Sequence, residues 1–306
     1  MYRHPPKKYT FEVIVIDNHS QDDTVAMLRE RFPQVRVIEN TYNYGFARAT
    51  NQGYRVSQGR YVMTLNPDTL LSEGTLDALV DFLEAHPCVG LVGPSECYGN
   101  FIPAYRSFIL SKVSQKINRI FLKNEYTDQS ETPTEVQWLW GTGLVCRREA
   151  LEPDLFFDER TFLYGEEYWL VLRVRKKGYT VYRLPSVKVN HVASGLCRQS
   201  PSYAYKARYL KEYTYHILRK RELGVWNAKL NALLDLMEAT IVSLPLWIKQ
   251  VLYPSQKRAV ALAEWRAVMK GSWDFLFRGV KYFKKANEEV ERFFNEISSQ
   301  KVKEPV

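Results

Sequence analysis

Residues 11–24 read FEVIVIDNHSQDDT, a short apolar run followed directly by acidic and amide side chains. The run predicts a buried strand, and the polar side chains predict the turn into a helix that extends to Phe32. The same alternation continues along the chain, with strands predicted at 35–38, 61–65 and 89–92 and helices at 46–56 and around 76–83. This pattern predicts an α/β fold with a doubly wound, mostly parallel sheet and helices on both faces.

The pattern becomes less regular after residue 100. The segment 100–135 is polar and is predicted to be irregular. Further elements are predicted as a glycine-interrupted strand at 136–147, a helix at 166–177 and strands at 179–183 and 187–190. From about Pro201 the pattern is helical, so we expect an α/β domain over 1–200 and a helical extension over 201–306.

Composition excludes several classes of protein. The 306 residues are 45% hydrophobic and 25% charged, which is globular rather than disordered or fibrous. The four cysteines form no C-x-x-C pair, which argues against a zinc site or a disulfide scaffold, and we expect reduced packing cysteines at Cys88, Cys97, Cys146 and Cys197. The first residues lack the apolar stretch of a secretory signal, so we expect a cytoplasmic chain.

The net charge of +9 is concentrated in the helical extension. Residues 1–200 carry 24 basic and 23 acidic side chains (24 − 23 = +1), and residues 201–306 carry 19 and 11 (19 − 11 = +8). A basic surface attracts nucleic acid, anionic lipid or phosphorylated substrates, and a merely solvated helical face is equally compatible with this charge. Because the extension contains no nucleic-acid-reading motif, we expect no nucleic-acid partner.

Acidic residues and one histidine follow predicted strands or open a helix. Ligands of open α/β sheets bind beyond the carboxyl ends of the strands, where Asp17 and Asp68 are expected. Asp68 is suited to hold a divalent cation against a diphosphate, although both aspartates are also compatible with helix capping. Glu166 and Glu167 are compatible either with dipole stabilisation of their helix or with a general base at a cleft. His191 is compatible with a structural role or with a metal site shared with Asp68.

Six segments in this order resemble a bacterial family-2 glycosyltransferase, most closely the rhamnosyltransferase-like branch. They are IDNHSQDDT at 16–24, NTYNYGFARATNQGY at 40–54, GRYVMTLNPDTLL at 59–71, WGTGLVCRREAL at 140–151, FFDERTFLYGEEYWLVLRVRKKGY at 156–179 and NHVASG at 190–195. The resemblance implies an A-type glycosyltransferase fold. It implies donor-binding roles for Asp17, Asn43, Gly45, Asn51, Asn66 and Asp68. It further implies a metal site at Asp68 and His191, and catalysis by Glu167 with Glu166 beside it.

The activity implied by this resemblance is inverting, metal-dependent transfer of a sugar in cell-surface polysaccharide or cell-wall synthesis. The expected donor is a dTDP- or UDP-sugar, the acceptor a glycan or polyprenyl-linked saccharide, and the cofactor Mg²⁺ or Mn²⁺. Three features depart from the family pattern. The family usually has another strand before the segment matching Phe11, its base is commonly aspartate, and Trp169 replaces a second acidic residue. The alternative expectation is therefore a weakly active or non-catalytic binding protein that lacks the first nucleotide-binding strand.

The extension contains one apolar helical stripe, formed by Leu230, Leu233, Leu234, Met237, Ile241, Leu244, Ile248 and Val251. Its longest uncharged run, 239–248, has ten residues, whereas a spanning helix needs about 20. Two interpretations stay open. The stripe either docks on the α/β domain or lies on the inner face of the plasma membrane, where basic residues favour anionic lipid.

Overall fold

The computed structural model describes residues 1–96, 132–136, 139, 141–191 and 200–300. Nearly all of the segment 100–135, predicted to be irregular, lies outside the described residues, as do Cys97 and Cys197. The two described cysteines are free thiols, with Cys146 buried and Cys88 exposed. Cys146 therefore packs in the core as predicted, whereas Cys88 does not.

The described chain contains strands and helices up to His191, and only helices follow from Pro201. The strands are β1 (Ile14–Asp17), β2 (Arg36–Glu39), β3 (Tyr61–Thr64), β4 (Thr69–Leu71), β5 (Val89–Glu96), β6 (Thr134–Glu135), β7 (Leu144–Arg147) and β8 (Thr180–His191). The helices are α1 (Thr24–Arg31), α2 (Phe46–Val56), α3 (Thr75–Ala85), α4 (Glu166–Lys176), α5 (Pro201–Leu252), α6 (Gln256–Arg278) and α7 (Phe283–Gln300). The short strands β4 and β6 were not predicted, and the two strands predicted near 179–190 form the single strand β8.

The described strands form two sheets, and the larger one is mixed rather than mostly parallel. β1 and β2 pair in parallel, and six strands form a second sheet in the order β3-β7-β5-β8-β4 with β6 beside β8. In that sheet β5 and β8 are parallel, whereas the other described pairings are antiparallel. The predicted strand direction is wrong because helices cover both faces of the sheet. Covered strands have the same apolar runs whether their neighbours are parallel or antiparallel.

Helices pack on both faces of this sheet, as predicted. Along β7, Leu144 and Cys146 point into a core shared with α2 and α4. Val145, which lies between them, points to the opposite side and packs with Leu79 and Leu83 of α3. Alternation of neighbouring side chains between two buried cores is what a sheet between two helical layers requires. The α/β fold class is therefore confirmed.

Helix α5 reverses direction at Gly224, where φ is +82° and the backbone is not helical. Arg219 and Asp235 are 16 positions apart and would be about 24 Å apart along a continuous helix. Their side chains instead form an ion pair. The two arms, 201–223 and 225–252, therefore fold back on each other, and α6 packs against both.

Buried polar and charged side chains fill the space between these arms. Arg219 lies 3.7 Å from the Glu212 carboxylate and donates to Nδ1 of His216 at 3.0 Å. Nε2 of His216 lies 3.0 Å from the hydroxyl of Ser272 on α6. Burial lowers the pKa of His216 to about 3 and raises that of Asp235 to about 7. The cluster is thus a neutral imidazole and two carboxyl groups arranged around one guanidinium.

The helical extension packs directly on the α/β part of the chain. Leu218 of α5 belongs to the core that contains Leu144 and Leu170. Phe162, which precedes α4, packs with Tyr209 and Leu210 of α5. These contacts place the first arm of α5 beside the loop that leads to Glu166 and Glu167.

Candidate active site

Asp17 lies at the carboxyl end of β1 and is buried. Its Oδ2 accepts a hydrogen bond from the backbone N–H of Ser20 at 3.1 Å, so the carboxylate helps to shape its own turn. His19, within this turn, has a φ of +74°. Asp17 therefore stands at the predicted ligand edge, and its contact with a nucleotide stays a prediction.

An amide network joins this turn to the loop before α2. Asn18 donates to Oδ1 of Asn43 at 2.8 Å, and the same oxygen accepts the N–H of Gly45 at 3.0 Å. Asn18 in turn accepts the N–H of Tyr44 at 3.1 Å. Asn43 is also held from α7, because its N–H donates to Asn295 at 2.7 Å. Asn18 was not predicted as a site residue, although its position directly after Asp17 was a usable signal.

Gly45 brings this loop against the segment before α4. Its φ is +83°, and a Cβ atom there would lie 2.5 Å from the carbonyl oxygen of Phe162. The same carbonyl accepts the N–H of Phe46 at 3.0 Å. Only glycine permits both the left-handed backbone and the close approach. Gly45 therefore fixes the predicted donor loop relative to the acidic pair.

Asn51 is fully buried and binds the segment 156–159 with both ends of its amide. Its Oδ1 accepts the N–H groups of Phe156 and Phe157 at 2.9 and 2.8 Å. Its Nδ2 donates to the Phe157 carbonyl at 2.8 Å and to the Glu159 carboxylate at 2.9 Å. In this arrangement Asn51 orders the segment that leads to α4, and its predicted donor-binding role would act through that segment.

Asn66 and Asp68 form the turn between β3 and β4. The N–H of Thr69 donates to the Asn66 carbonyl at 3.1 Å, which closes the turn. In the antiparallel pairing of β4 with β8, Thr69 lies opposite His191. Strand register therefore places the backbone of His191 beside the turn that contains Asp68, and the metal site at these two residues stays a prediction.

Glu166 and Glu167 open α4 after an unusual turn. Tyr164 has a φ of +71° and Gly165 a φ of +91°, so two successive residues have left-handed backbone. Such a conformation at a non-glycine residue costs free energy and is concentrated at functional sites. Oε1 of Glu167 accepts the backbone N–H of Gly141 at 3.1 Å.

The turn 141–143 connects Glu167 to the Asn66–Asp68 turn. Gly141 binds Glu167, and the next residue, Thr142, accepts a hydrogen bond from Nδ2 of Asn66 at 2.9 Å. Thr64 of β3 donates through its hydroxyl to the Gly141 carbonyl at 3.0 Å. The candidate base and the candidate metal turn are thus bound to adjacent residues of one short turn.

Burial raises the pKa of both glutamates. It raises the pKa of Glu166 well above its ordinary value, and the neighbouring charge of Glu167 raises it further. Burial also raises the pKa of Glu167, but the N–H of Gly141 and the positive charge of Lys211 oppose the rise. Burial and the charge of Glu167 therefore favour the neutral form of Glu166, whereas the Gly141 N–H and Lys211 stabilise the anion of Glu167.

Helix α5 completes the surroundings of this pair. Lys211 lies over the rings of Tyr164 and Tyr215, 5.5 and 5.6 Å from their centroids. Desolvation raises the pKa of Tyr215, and the negative charge of Glu167 raises it further. These residues were missed from the sequence, because no local pattern relates residues 211–215 to a helix start more than 40 positions earlier.

Gly141→Ala is expected to lower the sugar transfer that the resemblance implies by about 10²-fold without unfolding the protein. A Cβ atom at this position would lie 2.6 Å from Oε1 of Glu167, so the carboxylate must move. Displacement of a catalytic group by about 1 Å has a cost of this size. Initial transfer rates and thermal melting, measured together, check the prediction; unchanged transfer in the folded variant would contradict it.

The residues of the Asn66–Asp68 turn fit a divalent cation. Within the described part of the chain, Oδ1 of Asn66 is buried and accepts no hydrogen bond. Asp68 follows it as a half-buried carboxylate. Hard cations such as Mg²⁺ take oxygen ligands of this kind, one or two from the protein and others from phosphate and water.

Comparison with known proteins bears out the predicted resemblance. Residues 3–154 match the family described as Glycosyl transferase family 2. The N-acetylglucosaminyl-diphospho-decaprenol L-rhamnosyltransferase of Mycobacterium tuberculosis is 28% identical over 278 residues, covering 83% of this chain and 89% of the relative. The minor teichoic acid biosynthesis protein GgaB of Bacillus subtilis is 31% identical over 78 residues, covering 24% of this chain and 9% of that protein.

A solved structure supports the fold independently. The mannosyltransferase PcManGT from Pyrobaculum calidifontis, in complex with GDP-Man and Mn²⁺, superposes with a TM-score of 0.51. The match covers 87% of this chain and 78% of that chain at 17% identity. The predicted A-type glycosyltransferase fold is thereby confirmed, together with its C-terminal helical region. The fold, the sequence match over residues 3–154 and the similarity to the mycobacterial enzyme together show that the chain belongs to glycosyltransferase family 2.

Proposed function

We propose that this glycosyltransferase is an inverting enzyme that transfers a hexose or deoxyhexose from a dTDP- or UDP-sugar to a hydroxyl group of a glycan or polyprenyl-linked acceptor. One observation carries the proposal. Glu167 is hydrogen-bonded to Gly141, and the adjacent Thr142 is bound by Asn66 of the turn that contains Asp68. A candidate base and a candidate diphosphate-binding turn therefore lie at neighbouring points of one site.

Glu167 acts as the general base. Its carboxylate takes the proton of the acceptor hydroxyl as the oxygen forms a bond to the anomeric carbon. The bond from that carbon to the diphosphate oxygen breaks on the opposite face, and the leaving nucleoside diphosphate takes the bonding electrons. One displacement inverts the anomeric configuration. Burial raises the pKa of Glu166, which favours its neutral form and so reduces the negative charge beside Glu167.

Asp68 and Asn66 are the residues that would hold Mg²⁺ or Mn²⁺, with His191 on the neighbouring strand. When bound, the ion supplies positive charge that offsets the charge of the diphosphate. Asp17, at the carboxyl end of β1, and the Asn18–Asn43–Gly45 network orient the nucleotide. The chain itself thus supplies nucleotide binding on one side and proton removal on the other.

Relatives support the class of acceptor. The mycobacterial protein is named for rhamnose transfer to a saccharide on diphospho-decaprenol, and GgaB for teichoic acid biosynthesis. The first name describes a polyprenyl-linked acceptor, and the second describes the synthesis of a cell-surface polymer. Similarity over 83% of this chain favours the same class of acceptor here. The reaction we propose belongs to cell-surface polysaccharide synthesis at the cytoplasmic side of the membrane.

A panel of dTDP- and UDP-sugars, incubated with a short-chain polyprenyl-diphosphate saccharide and Mn²⁺, tests this function. We expect one donor to give a glycosylated lipid whose anomeric configuration, determined by NMR, is opposite to that of the donor. A product with retained configuration would overturn the inverting mechanism. Nucleotide-sugar binding without transfer to any acceptor hydroxyl would instead support the non-catalytic alternative.

Asp68→Asn is expected to raise the concentration of Mn²⁺ needed for half-maximal transfer by at least about tenfold. Loss of residues that only support a metal ligand already costs 10–100-fold in affinity, so about tenfold is a floor for a direct ligand. A Mn²⁺ titration of initial rates measures the effect, with the exposed Asp22 changed to asparagine as the control. An unchanged half-maximal Mn²⁺ concentration would remove Asp68 from the metal site.

A further inference from the structure

The second arm of α5 carries an exposed apolar row. We define the row as Trp226, Leu230, Leu233, Met237, Ile241, Leu244, Ile248 and Val251. Successive members are three or four positions apart, so they lie on one face of the helix. Each side chain is between 45% and 80% exposed. Leu234, which the sequence grouped with this stripe, is only half-exposed and lies at its margin.

The opposite face of this arm is already occupied. Ala228 and Ala232 are buried in a core with Ala267 and Phe275 of α6. Small residues at these positions allow the two helices to approach closely. The apolar row therefore points away from the protein, and docking on the α/β domain, one of the two interpretations of the stripe, does not cover it in the described structure.

An exposed apolar row of this length indicates a binding surface. Soluble proteins rarely expose large contiguous apolar patches, and those that do usually bind a protein or a membrane. Leu252 and Tyr253, at the turn into α6, extend the exposed apolar surface to the tip of the hairpin. The row and tip together span about 28 residues, or roughly 40 Å of helix.

Positive charge lies at both ends of the row. Lys229 is exposed near its start, and Lys249 and Lys257 are exposed near the tip. The region 201–306 has a net charge of +8. A second copy of the chain would place like charges opposite each other, whereas anionic lipid headgroups would be attracted. Charge complementarity thus favours a lipid surface over self-association.

We propose that the apolar row lies in the interfacial layer of an anionic membrane and holds the enzyme on that surface. An amphipathic helix with a wide apolar face and flanking lysines binds membranes in this orientation. The proposal does not depend on the catalytic assignments. It concerns a surface formed by α5 and α6, and it can hold or fail whichever sugar the enzyme transfers.

The helix lies along the membrane rather than across it. By length and composition alone, Gly224–Leu252 is sufficient to cross a bilayer. However, Asp235 on its inner face is ion-paired with Arg219 of the first arm. Its neighbour α6 carries Glu264 and Arg266 on exposed positions. Insertion of the whole hairpin into hydrocarbon would desolvate these charges, whereas an interfacial position immerses only the row.

Flotation of the full-length protein with phosphatidylcholine vesicles, with and without about one-third phosphatidylglycerol, tests the proposal. We expect the wild type to float with the anionic vesicles, less at 0.5 M NaCl, and to be released by alkaline carbonate. Ile241→Asp is expected to lower vesicle affinity by about 10–100-fold, the value of burying one large aliphatic side chain. Leu244→Asp provides a second, independent change in the row.

Phe11→Asp is the matched control, because it places the same charge at an exposed apolar position outside the extension. Thermal melting of each variant establishes that the fold is retained. Failure of the wild type to bind anionic vesicles at low salt would overturn the proposal, as would full binding by both row variants. A wild-type dimer in solution that Ile241→Asp converts to monomer, without vesicle binding, would assign the row to self-association instead. Resistance to carbonate would show a spanning helix.

Discussion

Glu167→Gln is expected to lower the rate of sugar transfer by about 10²–10⁴-fold, the usual contribution of a positioned general base. Glutamine preserves the size of the side chain and can still accept the Gly141 N–H, so the loop geometry should persist. It cannot take the proton of the acceptor hydroxyl. The loss should therefore appear in kcat, while donor affinity, measured by calorimetry, stays close to that of the wild type.

The pH dependence of kcat/KM provides a second test of Glu167 as the general base. Because burial raises the pKa of Glu167, kcat/KM of the wild type should fall with decreasing pH at values above the ordinary glutamate range. The variant should lose this acidic limb. Glu149→Gln, at an exposed position of the turn Arg148–Ala150, serves as the control. Near wild-type turnover by Glu167→Gln would remove this residue from the role of base.

Arg219→Met is expected to destabilise the protein by about 3–5 kcal/mol, the cost of breaking a buried ion pair by removing one partner. Asp235 and Glu212 would remain buried without the guanidinium that lies between them. Methionine fills a similar volume, so the loss is electrostatic rather than a cavity effect. The free energy of unfolding, measured by urea denaturation at pH 7, checks this value.

The loss of unfolding free energy caused by Arg219→Met should grow as pH rises. The folded-state pKa of Asp235 is already raised to about 7, and loss of Arg219, which opposes that rise, would raise it further. A carboxyl group with a raised pKa contributes stability at low pH that is lost as pH increases through the folded-state value. The variant should therefore resemble the wild type more closely at pH 5.5 than at pH 8.5.

Two further variants separate the electrostatic contribution to this loss of stability from the contribution of packing. Lys220→Met changes the adjacent, exposed basic residue and should have little effect on unfolding. Arg219→Met combined with Asp235→Leu also removes one of the two carboxyl groups that lose the guanidinium. Because the other, Glu212, still has Arg208 at 3.2 Å, the double variant should recover most of the lost stability. An equal deficit in the single and double variants would show that packing, rather than the unpaired charge, accounts for the effect.

Much of the α/β fold was predictable because its signals are local. Helix α2 has the predicted bounds 46–56, and β1, β2 and β3 lie within two or three residues of the predicted positions. Short β4, with three residues, has too few side chains to produce a period. The reversal of α5 at Gly224 was not predicted, because a single glycine in a helical pattern usually leaves the helix continuous.

The long-range side-chain contacts of the predicted site residues could not be predicted from the sequence. The segment containing Asn51 was predictable, but the saturation of its amide by residues 156–159 was not, because that contact spans more than 100 positions. The pairing of Glu167 with Gly141 likewise joins two segments 26 positions apart. Such contacts depend on how elements stack, which the spacing of neighbouring residues does not encode.

By itself, the sequence determined the alternation of strands and helices, the family, and the residue types that end the strands and open α4. Each of these follows from periodicity or from motifs within a few residues of one another. Only the tertiary structure showed that most strand pairings are antiparallel and that Glu167 is connected to Asn66 through residues 141–143. It also showed that one face of α5 is buried while the other is exposed. These depend on packing between distant segments, which buries Ala228 and Ala232 against α6 and leaves Ile241 and Leu244 exposed.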